Sequence, residues 1–421
     1  MNFFTGIRAM GLLGGVAVLL ATACDTGQSS ERLNTMQPKI LSIDSHIDIP
    51  PNFATTEVDP GVRGPDQVDL VKMREGGQAA GFFIVYVGQG PRTEAGYAQV
   101  KAEALAKFQA IHRMAEEMYP DRIGIAYHPE EVRRIHNEGR LVALIGIENG
   151  YVIGQDLSLI QDYYRLGGRY LTLAHNGHND LADSAQPRAG EPVAEHGGLS
   201  ALGRLVIDEL NRVGMLVDIS HISRDAALQA ITHSRVPVIA SHSSVKALYD
   251  HPRNLDDETM RALAEKGGVM QIVAFDSYLR SVPTEETKEV TDLLRALGMK
   301  TPVELRNQTP EVQKQYAAGM DEIHSRWPRA NLEKFGDHID YAVRLLGIDH
   351  VGIASDFGGG GGIDGWDDSA ETGNVTTMLG RRGYSGEEIA KLWGENLLRV
   401  MDEAVRPAGS GSRTASHDSS K

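Results

Sequence analysis

Histidines and carboxylates stand in this chain at places and spacings that suit a divalent metal. His46 and Asp48 are separated by one residue in Asp44-Ser45-His46-Ile47-Asp48, so on an extended strand both side chains point the same way. Neutral imidazole and ionised carboxylate are both zinc ligands. Glu148, His175, His221, His242 and Asp356 each follow directly on an apolar, β-rich run. Taken singly, each has an ordinary explanation. An H-x-D pair arises often by chance, and a histidine ending an apolar strand is more often a satisfied structural residue. Glu148 could pair with a basic loop residue, and Asp356 could simply cap a strand end. Taken together they are four of the fifteen histidines and three carboxylates, and a common location would reverse those odds. Glu148 has a particular aptitude, because a carboxylate with two oxygens can hold one metal on each.

A common location requires a scaffold that gathers strand ends. Eight short β-rich runs alternate with longer helical stretches: Ile40–His46, Gly81–Val87, Leu141–Ile147, Arg169–Ala174, Met215–Ser220, Pro237–Ser241, Gly268–Phe275 and His350–Ser355. Such alternation predicts a parallel sheet covered by helices, and this number of strands predicts an α/β (β/α)8 TIM barrel. Catalytic groups of such barrels sit at the C-terminal ends of the strands, where all these residues fall. Among the helices, Ser200 is placed to cap a segment with Leu202, Leu205, Val206, Leu210 and Val213 on one face and Gly214 as its stop. Asp256 or Asp257 caps the next, with Met260 and Leu263 inward and Gly267 at its end. The long interval from Arg280 to Asp340 reads as a charged helical excursion beside the barrel, before the last strand.

The 421 residues, 41% hydrophobic and 24% charged, are those of a globular chain able to bury a large core. A net charge of −15 argues against nucleic acid or anionic lipid as main partner; simple solubility explains it. Arg8 precedes an apolar run from Met10 to Ala23 that is short for a bilayer span and suits a signal peptide. The one cysteine, Cys24, follows in Leu20-Ala21-Thr22-Ala23-Cys24, similar to a lipoprotein cleavage box although Ala21 stands where leucine is usual. Residues 1–24 are thus expected to be a signal peptide of lipoprotein type, 25–37 a linker, 38–406 the catalytic barrel and 407–421 a disordered tail. Export to the periplasm or cell envelope, with anchoring through a lipidated Cys24, is the corresponding expectation.

The chain resembles the membrane (renal) dipeptidases of the metal-dependent amidohydrolase superfamily, from about Ile40 to Val400. The resemblance rests on Asp44–Asp48, Gly146–Gly150, Arg169–Asn176, Asn211–His221, Ser241–Ser243 and Gly347–Phe357, all in the family's order. It implies a zinc dipeptidase with two metals per chain, His46, Asp48 and Glu148 holding one and Glu148, His221 and His242 the other. Related barrels often bridge their metals with a modified lysine, but no lysine stands at these positions. A hydroxide between the metals is implied as nucleophile, with Asp356 moving its proton to the leaving amine and His175 stabilising the oxyanion. Arg253, in His251-Pro252-Arg253-Asn254, is implied to grip the free C-terminal carboxylate of a small peptide, as a bidentate guanidinium can. The residue at that end could be of D configuration. Relatives of this kind are often homodimers.

The chain departs from the family pattern in two places on the substrate side. Gly358 to Gly362 replace the usual Asp-Gly after Asp356-Phe357, and Gln271-Ile272-Val273-Ala274-Phe275 lacks the usual Asn-Phe-Tyr. The formal G-x-G-x-x-G of Gly360, Gly362 and Gly365 has no Rossmann context and reads as a compositional accident. Two alternatives stay open: another amidohydrolase chemistry, on an N-acyl amino acid or a lactone, and a non-catalytic peptide-binding lipoprotein.

Overall fold

The computed structural model describes residues 40–405; the signal peptide, the linker and the tail expected above lie outside the described residues. All eight expected strands form. They are β1 (Ile43–Asp48), β2 (Ala80–Tyr86), β4 (Leu141–Glu148), β5 (Gly168–Thr172), β6 (Leu216–Asp218), β7 (Ile239–Ser243), β8 (Val269–Val273) and β9 (Val351–Ala354), with a short β3 (Ile123–Ile125) paired to β4. Neighbours in the sheet follow chain order and each pairing is parallel. Every residue of β4, Leu-Val-Ala-Leu-Ile-Gly-Ile-Glu, is buried, as a parallel strand covered on both faces requires. The sequence reading missed β3, because Ile-Gly-Ile is too short to show a period.

The sheet curls until β1 meets the end of β9, giving a (β/α)8 barrel. Asp48 N–H donates to Phe357 O at 2.8 Å and Asp356 N–H donates to His46 O at 3.1 Å. This closing seam lies at the C-terminal ends of both strands, so His46, Asp48 and Asp356 are brought together by barrel closure itself. An aromatic cluster packs on the seam: Trp366 lies against Phe357, Phe335 and Trp393 with ring centroids 5.4, 5.7 and 5.8 Å apart.

The covering helices largely obey their local signals. Ser200 caps Ala201–Val213 by accepting from Gly203 N–H, and Gly214 ends it at φ 85°, a left-handed conformation that glycine adopts without strain. The expected apolar face is corrected in part. Leu205 is 52% exposed, while Gly203, Val206, Ile207 and Leu210 are the buried residues; Leu205 lies just off the stripe that meets the sheet. Asp256 caps Asp257–Glu265, burying Met260 and Leu263. The excursion is shorter than expected. Thr284–Ala296 and Pro310–Arg326 bury few side chains, but Leu332–Leu346 buries Phe335, His338, Ile339 and Ala342 and is the barrel helix before β9. No helix among the described residues is long and apolar enough to cross a membrane.

Candidate metal centre and active site

The strand ends converge on Glu148, the last residue of β4. Its Oε2 lies 3.6 Å from His46 Nε2, while its Oε1 lies 3.1 Å from His221 Nε2, 3.3 Å from His242 Nε2 and 3.9 Å from His175 Nε2. The two carboxylate oxygens therefore face different histidines, the disposition a bridging ligand needs. Asp48 Oδ2 stands 3.5 Å from His46 Nε2. Nε2 of His221 and Nε2 of His242 are only 2.8 Å apart. Donor atoms of His46, Glu148 and His242, of Glu148, His175 and His221, and of His46, Asp48 and Asp356 lie within 4.8 Å of one another. These overlapping groups bring together the five ligands, the proton carrier Asp356 and the oxyanion partner His175 expected from the sequence, without dividing the donors uniquely between two metals.

The donor set fits a metal in its chemistry. His46 Nε2 is buried with no hydrogen-bond partner, a costly arrangement for a nitrogen unless an ion meets it. Burial opposes charge on every group here, and their neighbours decide the outcome. Glu148 is held well below the usual carboxylate range despite burial, by His46, His175, His221 and His242. His46 is held well above its usual value against burial, by Glu148 and Asp48. Burial, then Arg253 and His175, push His221 well down, and burial and His46 bring His242 to about 3, leaving neutral imidazoles of the kind metals bind. Asp356 is pushed well up, chiefly by burial and then by Asp48 and Glu148 against the pull of His46.

Local backbone strain aims two of these residues. His221, three residues beyond β6, has φ 68° and Asp356, two beyond β9, has φ 60°, a region non-glycine residues occupy at a cost usually met at functional sites. On three of these histidines the ring nitrogen facing away from Glu148 is occupied. Nδ1 of His46 lies 2.9 Å from the Tyr170 hydroxyl, Nδ1 of His221 3.3 Å from Asn176 Oδ1, and Nδ1 of His242 2.7 Å from Ser241 Oγ. The sequence reading gave no role to Tyr170, Asn176 or Ser241.

Arg253 is not a solvated loop residue but is 2% exposed. Its Nη2 donates to His242 O at 3.0 Å, its guanidinium lies 5.4 Å from the Tyr278 ring centroid, and its Nε has no partner. A cationic donor is thus held beside the histidines with a hydrogen bond unspent. The two departures from the family pattern prove to be one wall. Phe275 stacks on Tyr278 at 4.3 Å, and a Cβ on Gly360 would come within 2.9 Å of the Phe275 ring. Gly360, Gly362 and Gly365 lie in an irregular turn at φ 125°, 116° and 91°, as the reading of an accidental motif expects.

Comparison with known proteins agrees with this geometry. A family model described as membrane dipeptidase (peptidase family M19) matches residues 30–411. The chain is 32% identical over 348 residues to Dipeptidase tcpJ of Claviceps purpurea (strain 20.1), covering 82% of this chain and 70% of that one. It is 30% identical to Dipeptidase aclJ of Aspergillus oryzae, covering 82% and 71%. Among solved structures, the probable dipeptidase PvdM from Pseudomonas aeruginosa aligns with a TM-score of 0.78 at 33% identity, over 90% of this chain and 99% of that one.

Proposed function

The chain belongs to the membrane dipeptidase family of metal-dependent peptidases, and from that premise we propose that it is a binuclear zinc dipeptidase acting on dipeptides with a free C-terminal carboxylate. The observation that carries the proposal is the division of labour at Glu148, whose two oxygens face His46 on one side and His221 and His242 on the other. His46, Asp48 and Glu148 would hold one zinc, and Glu148, His221 and His242 the other. Zinc bound there would polarise the scissile carbonyl and bring the acidity of water into the neutral range.

The remaining steps belong to side chains of this protein. Asp356, with its proton affinity raised by burial, takes the proton of the attacking water and returns it to the departing amine. His175 is depressed by burial and stays neutral, so it offers an N–H to the developing oxyanion. Arg253 receives the substrate carboxylate on its unspent donor and sets the distance from that carboxylate to the scissile bond. Such a clamp selects very short peptides. Export and anchoring through Cys24 complete the proposal and place the reaction outside the cytoplasm.

The test is release of amino acids from a panel of L-L and L-D dipeptides by zinc-loaded protein lacking residues 1–24, with Asp356→Asn as the blank. Release that vanishes in the variant is the expected result. Two bound zincs with no dipeptide cleaved, but N-acyl amino acids hydrolysed, would replace the proposal with the amidohydrolase alternative, to which the Gly358–Gly362 wall lends its support.

A further inference from the structure

Behind the metal centre lies a buried carboxylate with no part in the chemistry above. Asp218 ends β6, is fully buried and belongs to none of the metal-donor groups. Its Oδ1 accepts from the backbone N–H groups of Ser220 at 3.0 Å and Ser241 at 2.8 Å. Its Oδ2 accepts from the hydroxyls of Thr172 at 2.5 Å and Ser241 at 2.7 Å. Ser241 Oγ is the donor to Asp218 Oδ2, and a hydroxyl has one proton, so that proton is committed to Asp218. The Ser241 oxygen then meets His242 Nδ1, 2.7 Å away, as an acceptor. His242 Nδ1 must carry the ring proton, which leaves the Nε2 lone pair aimed at the side of Glu148 and His221.

We propose that Asp218, acting through Ser241, is a positioning residue that fixes His242 in its Nδ1–H tautomer and thereby sets the affinity of the metal site His242 completes. The inference rests on the zinc reading above. His46 has a comparable arrangement, in which the Tyr170 hydroxyl donates to Ser45 O at 3.0 Å and so receives Nδ1–H, but its anchor is a backbone carbonyl. The Asp218 relay alone can be reversed by an isosteric change. In Asp218→Asn, the amide oxygen must stay toward the two backbone N–H groups, because the amide nitrogen cannot accept from them. The nitrogen then takes the Oδ2 position and donates to both hydroxyls. Ser241 is forced to turn its proton to His242 Nδ1, and the ring proton moves to Nε2, where it blocks the metal. Shape and the backbone hydrogen bonds are preserved, so a merely structural Asp218 would tolerate the change.

The experiment titrates zinc into full-length metal-free protein against a chromogenic chelator, and reads the His242 tautomer from long-range 15N–1H correlations after histidine-selective labelling. Expected are Nδ1–H in the parent, Nε2–H in Asp218→Asn, and a loss of about 10- to 100-fold in one of two zinc-binding steps, the usual effect of removing such a partner. Thr172→Val, which touches Asp218 without touching the relay, keeps both steps within about twofold of the parent. Should Asp218→Asn not fold, Ser241→Ala removes the acceptor of His242 Nδ1 and is expected to weaken the same step. Parental zinc affinity in either variant, or an unmoved proton in Asp218→Asn, overturns the inference. A parent that binds no zinc overturns the metal reading instead, while the tautomer in the metal-free protein still decides the relay.

Discussion

Gly359→Ala places the smallest possible side chain where the glycine run passes the metal centre. Gly359 does not have a positive φ, so alanine meets no conformational penalty and only space decides. A Cβ there would stand 2.4 Å from Asp356 Oδ1 and 2.4 Å from Asp48 Oδ2, against a practical limit of 3.0 Å. Each oxygen must then retreat by about 0.6 Å (3.0 − 2.4), or the loop must lift by a similar amount. Both atoms are ends of short side chains and yield more easily than backbone, so the damage falls on the site rather than the fold. A misplacement of about 1 Å costs about 100-fold in rate; about 0.6 Å in two acid groups at once predicts a loss of roughly 10- to 100-fold in kcat, or about 1.4 to 2.7 kcal/mol. Overpacking at a rim contact should cost about 1 kcal/mol of stability. The assay is dipeptide hydrolysis with zinc content and thermal melting measured on the same samples. Gly361→Ala is the contrast, since its Cβ would lie 1.9 Å from the Ser355 carbonyl oxygen; backbone must move, and the melting temperature should fall further than in Gly359→Ala. If Gly359→Ala keeps its zinc and a kcat within about twofold of the parent, the steric reasoning is refuted.

Arg253→Ala should lower kcat/KM for a dipeptide by roughly 10- to 100-fold, the loss of a hydrogen bond to a charged group, but leave the corresponding C-terminal amide almost unaffected. Equal losses on the two substrates would remove the carboxylate from Arg253. His338 is buried, with its Nδ1 accepting from Val245 N–H at 3.1 Å, and burial lowers its pKa from 6.5 to about 4. A depressed histidine lends stability that is full above its unfolded pKa and is lost as pH falls through the window from 6.5 to about 4. By pH 5 the loss should reach about 2 kcal/mol. His338→Asn, which keeps an acceptor for Val245, should lose that much less between pH 7.5 and pH 5 in denaturant titrations; parallel pH profiles for the two proteins would contradict the assignment.

Much of this centre was legible from local pattern. Each of the seven expected metal-binding and catalytic residues terminates an apolar run, and in a parallel barrel a strand end has a fixed address, the C-terminal rim. Arg253 was the least legible. Its loop position suggests a solvated side chain, and only the fold shows it buried under the site with one donor unspent. The supporting residues were invisible for a different reason. Tyr170, Asn176 and Asp218 sit in the same quoted motifs as the ligands, but a hydrogen bond between a residue on β5 and a ring on β1 has no sequence spacing to betray it.

The sequence by itself determined the eight strands, their parallel order and the identity of the donors, because burial on both faces and a helix after each strand are properties of short segments. Tertiary structure alone decided which oxygen of Glu148 faces which histidine, that barrel closure brings β1 and the end of β9 together around His46 and Asp356, and that the glycine run had to be free of side chains beside Asp48. Those facts depend on how far apart distant segments come to rest. That distance is set by the packing of the whole barrel, and no local pattern encodes it.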